Sequence, residues 1–291
     1  MRPTLLTLVF ALGFGFAVAA PAPTDPWSRE ALTAWCIVPF DAAQRGPEAR
    51  AVMLEKLNLR RFAYDWRAEH VPTFDAEVDA MRRHGIDLVA WWFPSQLDAS
   101  ARAILDVLVR QRIRPQLWIV GGGAPAPTNA GGQAARVTQE ATRLRPVIDA
   151  AAKLGCTIGL YNHGGWFGEP ENQLAIIAEL KRTGVTNVGM VYNFHHGHDQ
   201  MDRFAEFWPK IQAHVLAVNL NGMIAGGDKV GKKIHPLGDG DRELGLMRII
   251  QASGWRGHVG LLNHRTEVDA EVGLARNLAG FEKLVAQLRG K

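Results

Sequence analysis

The chain has 291 residues, 47% hydrophobic and 21% charged, with a formal net charge of +4. That composition is globular and excludes a disordered or fibrous chain. The positive charge is scattered among acidic residues, and the one basic knot, at 229–233, is short; nucleic-acid binding needs a concentrated basic face, so no nucleic-acid partner is expected.

The N-terminus opens with a short basic stretch, an uncharged apolar run at 5–18 (LLTLVFALGFGFAV) and the small-residue site Ala17-Val18-Ala19. This reads as a secretory signal peptide over 1–20. A membrane anchor competes, but a span wants roughly 20 apolar residues, so no stable anchor is expected and the protein is read as exported, periplasmic or secreted. A proline-rich linker is expected at 21–32, and a single domain over 33–291.

From there one rhythm repeats: an apolar run, a polar or glycine-rich turn, an amphipathic helix. The runs lie at 34–40, 60–66, 86–93, 115–122, 157–163, 187–193, 215–221 and 258–264. Several are too continuously apolar for one-sided strands, which suits parallel strands covered on both faces. Helices are predicted at 47–57, 74–84, 99–111, 134–154, 170–183, 201–214, 242–252 and 269–288, with Gly85 and Gly184 as C-terminal glycines. Eight such units predict an α/β fold, a single (β/α)8 TIM barrel. A doubly wound open sheet is disfavoured, because no glycine-rich dinucleotide fingerprint follows the first strand. Cys36 and Cys156 lie in or beside apolar runs. An even count in an exported protein invites a disulfide, but cysteine also packs as a small hydrophobe, and two buried thiols are the preferred reading, with neither at a strand end.

In a barrel of this kind the active site forms where strand C-termini meet their loops. Strand two ends in Tyr64, Asp65, Trp66 and Arg67, with His70 close behind; strand three ends in Trp91, Trp92 and Phe93. Strand four runs into Gly121-Gly122-Gly123, and strand five ends in Tyr161, Asn162, His163 and Trp166. Strand six ends in Asn193 and Phe194, then His195, His196 and His198. Strand seven ends in Asn219 and Asn221, and strand eight in Asn263 and His264. Of ten histidines, His84, His214 and His258 fall at helix ends or a strand start and read as structural or solvated; the other seven follow strand ends. Asn and His are poor strand-interior residues, so their concentration at one rim implies a polar pocket. Amide and imidazole groups supply the donors and acceptors that sugar hydroxyls need, and rim aromatics can stack on a sugar ring. Asp65 is a candidate base or an orienting carboxylate, with an ion pair to a neighbouring arginine as the structural alternative.

This strand-end series resembles the xylose isomerase-like barrels, a broad group of sugar isomerases and epimerases, from about Trp35 to the C-terminus. The resemblance implies one divalent cation held by Glu, Asp, His and Glu on strands five to eight. Here Tyr161 stands where the first Glu belongs, Asn193 replaces the Asp, with His196 at the expected three-residue offset, Asn219 replaces the His, and Asn263 or His264 replaces the last Glu. A neutral amide is a weak ligand for a hard dication. Two repairs are open: a softer transition metal (Zn, Ni or Fe) bound by His163, His196 and His264, or no metal, with histidines moving protons and asparagines holding an oxyanion. The stretch from Gly226 to Lys233 misses a phosphate-binding loop by its lack of Ser/Thr and reads as a mobile basic loop. Asp241 is expected to N-cap the seventh helix.

The expected function is therefore an exported carbohydrate-active isomerase, epimerase or lyase that abstracts a proton next to a carbonyl. His163, His196, His264 and Asp65 are its candidate catalytic residues. Tyr64, Trp66, His70, Tyr161, Asn162, Trp166, Asn193, Asn219, Asn221 and Asn263 are its candidate substrate contacts, with a small-molecule carbohydrate as partner. The alternative is a catalytically silent sugar-binding barrel. The sequence does not fix the oligomeric state.

Overall fold

The computed structural model describes residues 25–121 and 125–290. The expected signal peptide, the first residues of the linker, and Gly122 and Gly123 of the glycine run lie outside these described residues. Eight parallel strands close into one barrel in sequence order, β1 to β8, and β1 pairs with β8 along Leu32–Trp35. The strands are β1 (Leu32–Trp35), β2 (Arg61–Tyr64), β3 (Asp87–Trp92), β4 (Gln116–Ile119), β5 (Ile158–Tyr161), β6 (Val188–Asn193), β7 (Val215–Leu220) and β8 (His258–Leu262). The helices are α1 (Pro47–Lys56), α2 (Phe74–Arg83), α3 (Ala99–Gln111), α4 (Ala130–Lys153), α5 (Gly165–Gly168), α6 (Pro170–Arg182), α7 (Phe204–Ile211), α8 (Glu243–Ala252) and α9 (Ala270–Leu288). Among the described residues no helix is long and apolar enough to cross a membrane.

Most elements fall where the apolar rhythm puts them, and the departures have local causes. β1 stops at Trp35 rather than running to residue 40, because Cys36 adopts a left-handed backbone (φ 50°). The amides of Ile37 and Val38 then donate to the Asp65 carboxylate at 3.3 and 3.2 Å instead of to a strand. α4 starts at Ala130, earlier than expected, because the Asn129 side chain caps it through the Gly132 amide at 2.8 Å. α8 is not capped by Asp241: its N-cap is Arg242, without a side-chain hydrogen bond. The buried Glu243 instead accepts from the amides of Met223, Gly238 and Gly240 and folds the preceding loop onto the helix. The end of the expected linker belongs to the fold: Trp27 is buried and packs into the helix-facing core, and β1 begins at Leu32. Both cysteines are free and buried.

Two apolar layers result. The larger lies between the strands and the helices. The smaller fills the barrel and includes Trp35, Ala63, Trp118, Tyr161, Val191, Ala217 and Leu262, with Trp92 packed against it. Glycines make room for the indoles. A Cβ at Gly260 would lie 2.2 Å from the Trp35 ring, and one at Gly159 would lie 2.6 Å from Trp118. Such overlaps cannot be absorbed in a close-packed interior.

Candidate active site at the barrel mouth

Aromatic rings form the floor of the mouth. Trp35 lies against Trp118 (centroids 4.1 Å apart), and Trp92 against Trp118 (4.8 Å). Tyr161 stacks beyond Trp118 at 6.3 Å. Trp91 is not part of this floor; it points outward and meets Tyr64 and Phe74 edge-on.

Four imidazoles, from the ends of β5, β6 and β8, stand in a row next to this floor. Their centroids are 4.4 Å apart for His163 and His196, 3.7 Å for His196 and His195, and 4.8 Å for His195 and His264. Tyr161 meets His196 edge-on at 5.6 Å. His163 is exposed, His196 and His264 are half-buried, and His195 is buried. His264 is held in a left-handed backbone (φ 48°), and its amide donates to the carbonyl of Cys36, itself left-handed, at 3.1 Å. Two such non-glycine residues side by side are a local strain that the surrounding fold must maintain.

The hydrogen bonds fix one tautomer. The backbone N–H of His195 can only donate, and it donates to the Asn193 side chain at 3.2 Å, so that atom is the amide oxygen Oδ1. Oδ1 also faces Nδ1 of His195 at 3.0 Å and takes an N–H from Asn219 at 3.0 Å. Nδ1 must therefore carry the proton, and Nε2 keeps its lone pair, without a partner among the described residues. Asn193 Nδ2 donates in turn to the Tyr161 hydroxyl.

Burial keeps the row neutral. It pushes His196 down to about 2, helped by the neighbouring His163 ring and by Lys233. It pushes His264 down to about 4, helped by Arg67 and Lys233. His195 lies well below its usual range through burial and then its neighbours His196 and His264, and the more exposed His163 is lowered by partial desolvation and then Lys233. Four neutral imidazoles at pH 7 offer both N–H donors and bare nitrogens. Asp65 is buried below the rim, and burial raises its carboxyl to about 7 against the opposing pull of Arg67. Cys36 follows β1 directly, at the mouth, contrary to the sequence expectation that neither cysteine ends a strand. Its thiol is raised far up by burial and then by Asp65, so it is an unreactive neighbour.

Of the expected site residues, the structure brings together His163, His196, His264, Tyr161, Asn193 and Asn219. Others are placed elsewhere. Tyr64 faces the helix layer with Trp91 and Phe74. Trp66 donates to the Trp92 carbonyl at 2.7 Å and packs on Phe74. His70 accepts from the Arg67 amide at 2.9 Å. Trp166 donates to Gln133 at 2.7 Å. Asn162 clasps the backbone of Asn193, accepting at 2.7 Å and donating at 3.1 Å. Asn221 donates to the carbonyls of Gly222 and Lys233, both at 2.9 Å. Asn263 donates to the carbonyls of Phe40, Arg265 and Val268. Through these bonds the three asparagines hold neighbouring backbone in place. Sequence reasoning underrated His195, Lys233 and the floor indoles Trp35 and Trp118. Periodicity held the signal for the indoles, since both occupy inward positions of their strands.

The donor set does not fit the cation that the resemblance implies. Tyr161 and Asn193, at two of its ligand positions, have their oxygens turned to N–H donors. Among the described residues no group of three or more His, Cys, Asp or Glu side chains is arranged to hold a metal ion. This includes the trio His163, His196 and His264.

A closed (β/α)8 barrel with its polar cluster at the strand C-termini defines the class, and solved structures of like shape are xylose isomerase-like barrels, sugar epimerases and isomerases among them. One is a 3-keto-D-glucoside 4-epimerase from E. coli, at 13% identity over 90% of this chain and 100% of that one, TM-score 0.62. Another is an L-ribulose 3-epimerase, at 13% identity over 89% and 95%, TM-score 0.64. A third is a probable 3-DHS dehydratase involved in petrobactin synthesis from Bacillus anthracis, at 10% identity over 87% and 98%, TM-score 0.65. At such identities the likeness is one of fold. No protein-family model matches the sequence, and no curated protein matches it.

Proposed function

We propose that the protein is a sugar-modifying enzyme, an isomerase, epimerase or lyase that moves a proton at the carbon beside a carbonyl of a sugar or keto-glycoside. The observation that carries this reading is the row of neutral imidazoles over an aromatic floor at the mouth. Epimerases and a dehydratase among the barrels of like shape support it. With its apparent leader at 1–20, the protein works after export, on a small carbohydrate and without nucleic acid.

In this reading the sugar lies on Trp92, the half-buried indole of the floor. His196 takes the proton from carbon, and His163 or His264 donates an N–H to the oxygen that becomes the enolate, as neutral imidazole can polarise a carbonyl. The imidazolium and the enolate form together, so each charge offsets the cost of burying the other. His195 touches no substrate; its fixed tautomer and its contacts with the rings of His196 and His264 set their places. The proton returns to the opposite face, to the neighbouring carbon, or leaves with a β-substituent, giving the three reaction types. No step uses a metal.

The test is deuterium incorporation from D2O into 3-keto-glucoside and ketose substrates. The wild type is expected to exchange, and His196→Ala to slow exchange by about 100-fold or more, the usual weight of a general base. The missing carboxylates of the resemblance favour a second reading, a catalytically silent sugar-binding barrel. Calorimetric sugar binding with no exchange would select it.

A further inference from the structure

A cleft of about 630 Å³ opens beside the imidazole row, between the loop leading to α8 and the loop leading to α9. Phe40, Lys232, Lys233, His264, Arg265 and Arg276 line it. Its charges are not balanced. Arg265 is paired with Glu267 at 2.8 Å, and Arg276 with Asp239 at 2.6 Å. Among the described residues no carboxylate lies within 4.0 Å of Lys232 or Lys233. The Arg67 guanidinium, over the Phe40 ring at 5.4 Å, donates to the carbonyls of Asp65 and Trp66 and also acts on the buried Asp65 carboxyl. Phe40 stacks on His264 at 3.9 Å, so this third cation stands over the same wall.

Lys233 is also held in place, unlike an ordinary surface lysine. Its carbonyl accepts from Nε2 of the buried His198 at 3.0 Å and from the buried Asn221 at 2.9 Å. The next residue, the half-buried Ile234, packs against the barrel's inner core. The strap carrying Lys233 is thus pinned from below by two buried side chains and an apolar anchor. Its positive charge is among the causes that lower all four imidazoles of the row.

Lysine ammonium groups without counter-ions, carried at the mouth on a strap whose backbone is pinned, draw anions in and are stabilised by them. The neighbouring imidazoles are neutral and cannot supply the partner charge. We propose that this cleft is an anion subsite, and that the sugar processed at the imidazole row carries a carboxylate or a phosphate held by Lys233, with Lys232 beside it. The proposal rests on the sugar-modifying reading and names its substrate class.

Calorimetry with D-glucuronate, D-glucose 6-phosphate and D-glucose at low salt tests it. The wild type is expected to bind one of the two anions at least about ten-fold more tightly than glucose, and the tighter one decides between carboxylate and phosphate. Lys233→Met should abolish that preference, and Lys233→Arg should keep it. Equal binding of all three, binding of none, or a preference untouched in Lys233→Met would overturn the subsite. Deuterium exchange separates the two claims. Exchange from neutral keto sugars without an anion preference keeps the chemistry and removes the subsite. An anion preference without exchange keeps the subsite and removes the chemistry.

Discussion

Asp65 illustrates how one residue can be read in part from sequence. Its place at the end of β2 marked it as a rim carboxylate. The sequence could not show that the Ile37 and Val38 amides occupy one oxygen while the other has no partner among the described residues. Around it stand Cys36, Arg67, Arg50 and Tyr161. Burial lifts its folded-state value to about 7, above the unfolded value near 3.8. A raised acid binds its proton more tightly when folded, so its stabilising contribution is full below about pH 4 and lost as pH rises through about 7. Asp65→Asn is therefore expected to be more stable than wild type at pH 8, by about 2–4 kcal/mol, and to flatten the fall in stability between pH 4 and 7. Urea denaturation across that range measures both. The histidines were legible to a similar depth. Rim position found His163, His196 and His264, but burial and tautomer, which single out His195, depend on the amides of Asn193 and Asn219, register partners on the neighbouring strands β6 and β7. Asn193 is two residues from His195, but the Asn219 amide that completes the arrangement lies 26 residues from Asn193, and no local pattern announces it.

At the scale of elements, the apolar rhythm was sufficient for all eight strands and all the long helices. Parallel strands covered on both faces leave unbroken apolar runs, and helix-facing stripes leave their own period. Missing were features set by side chains reaching across the chain: the early end of β1, the Asn129 cap, the loop gathered by Glu243, and the short α5 at Gly165–Gly168. One such contact joins α1 to α2. Arg50 and Glu77 form an ion pair with side chains 2% and 1% exposed. Burial lifts Glu77 while Arg50 pulls it back. Glu77→Gln strands a buried guanidinium and is expected to cost about 3–5 kcal/mol, whereas Arg50→Met with Glu77→Leu should return to within about 1 kcal/mol of wild type. Chemical denaturation of the two variants decides whether the pair supplies net stability or only forbids its own breakage.

For the whole molecule, closure is the governing fact. β1 pairs with β8, and the segment before β1 continues that seam. Trp27 is buried, Arg29 bonds Glu282 of α9, and Asp25 bonds Arg289 at 2.7 Å. What reads in sequence as the end of a proline-rich linker thus clasps the last helix, because burial of one indole outweighs local composition. Trp27→Ala is expected to lower stability by about 3 kcal/mol, with the imidazole row unaltered. A drop in urea midpoint with unchanged ligand affinity would confirm that the clasp serves closure alone; loss of affinity would tie it to the mouth.

The tryptophan floor has one further consequence. Trp35 and Trp118 are sealed from water, and Trp92, in contact with both, is half-open to the mouth. Indoles this close share their excited states, so the barrel holds a small chromophore assembly with one face toward arriving solute. Occupancy of the mouth is thereby written into the protein's own near-ultraviolet spectrum, and ligands can be sorted by light before any reaction is known.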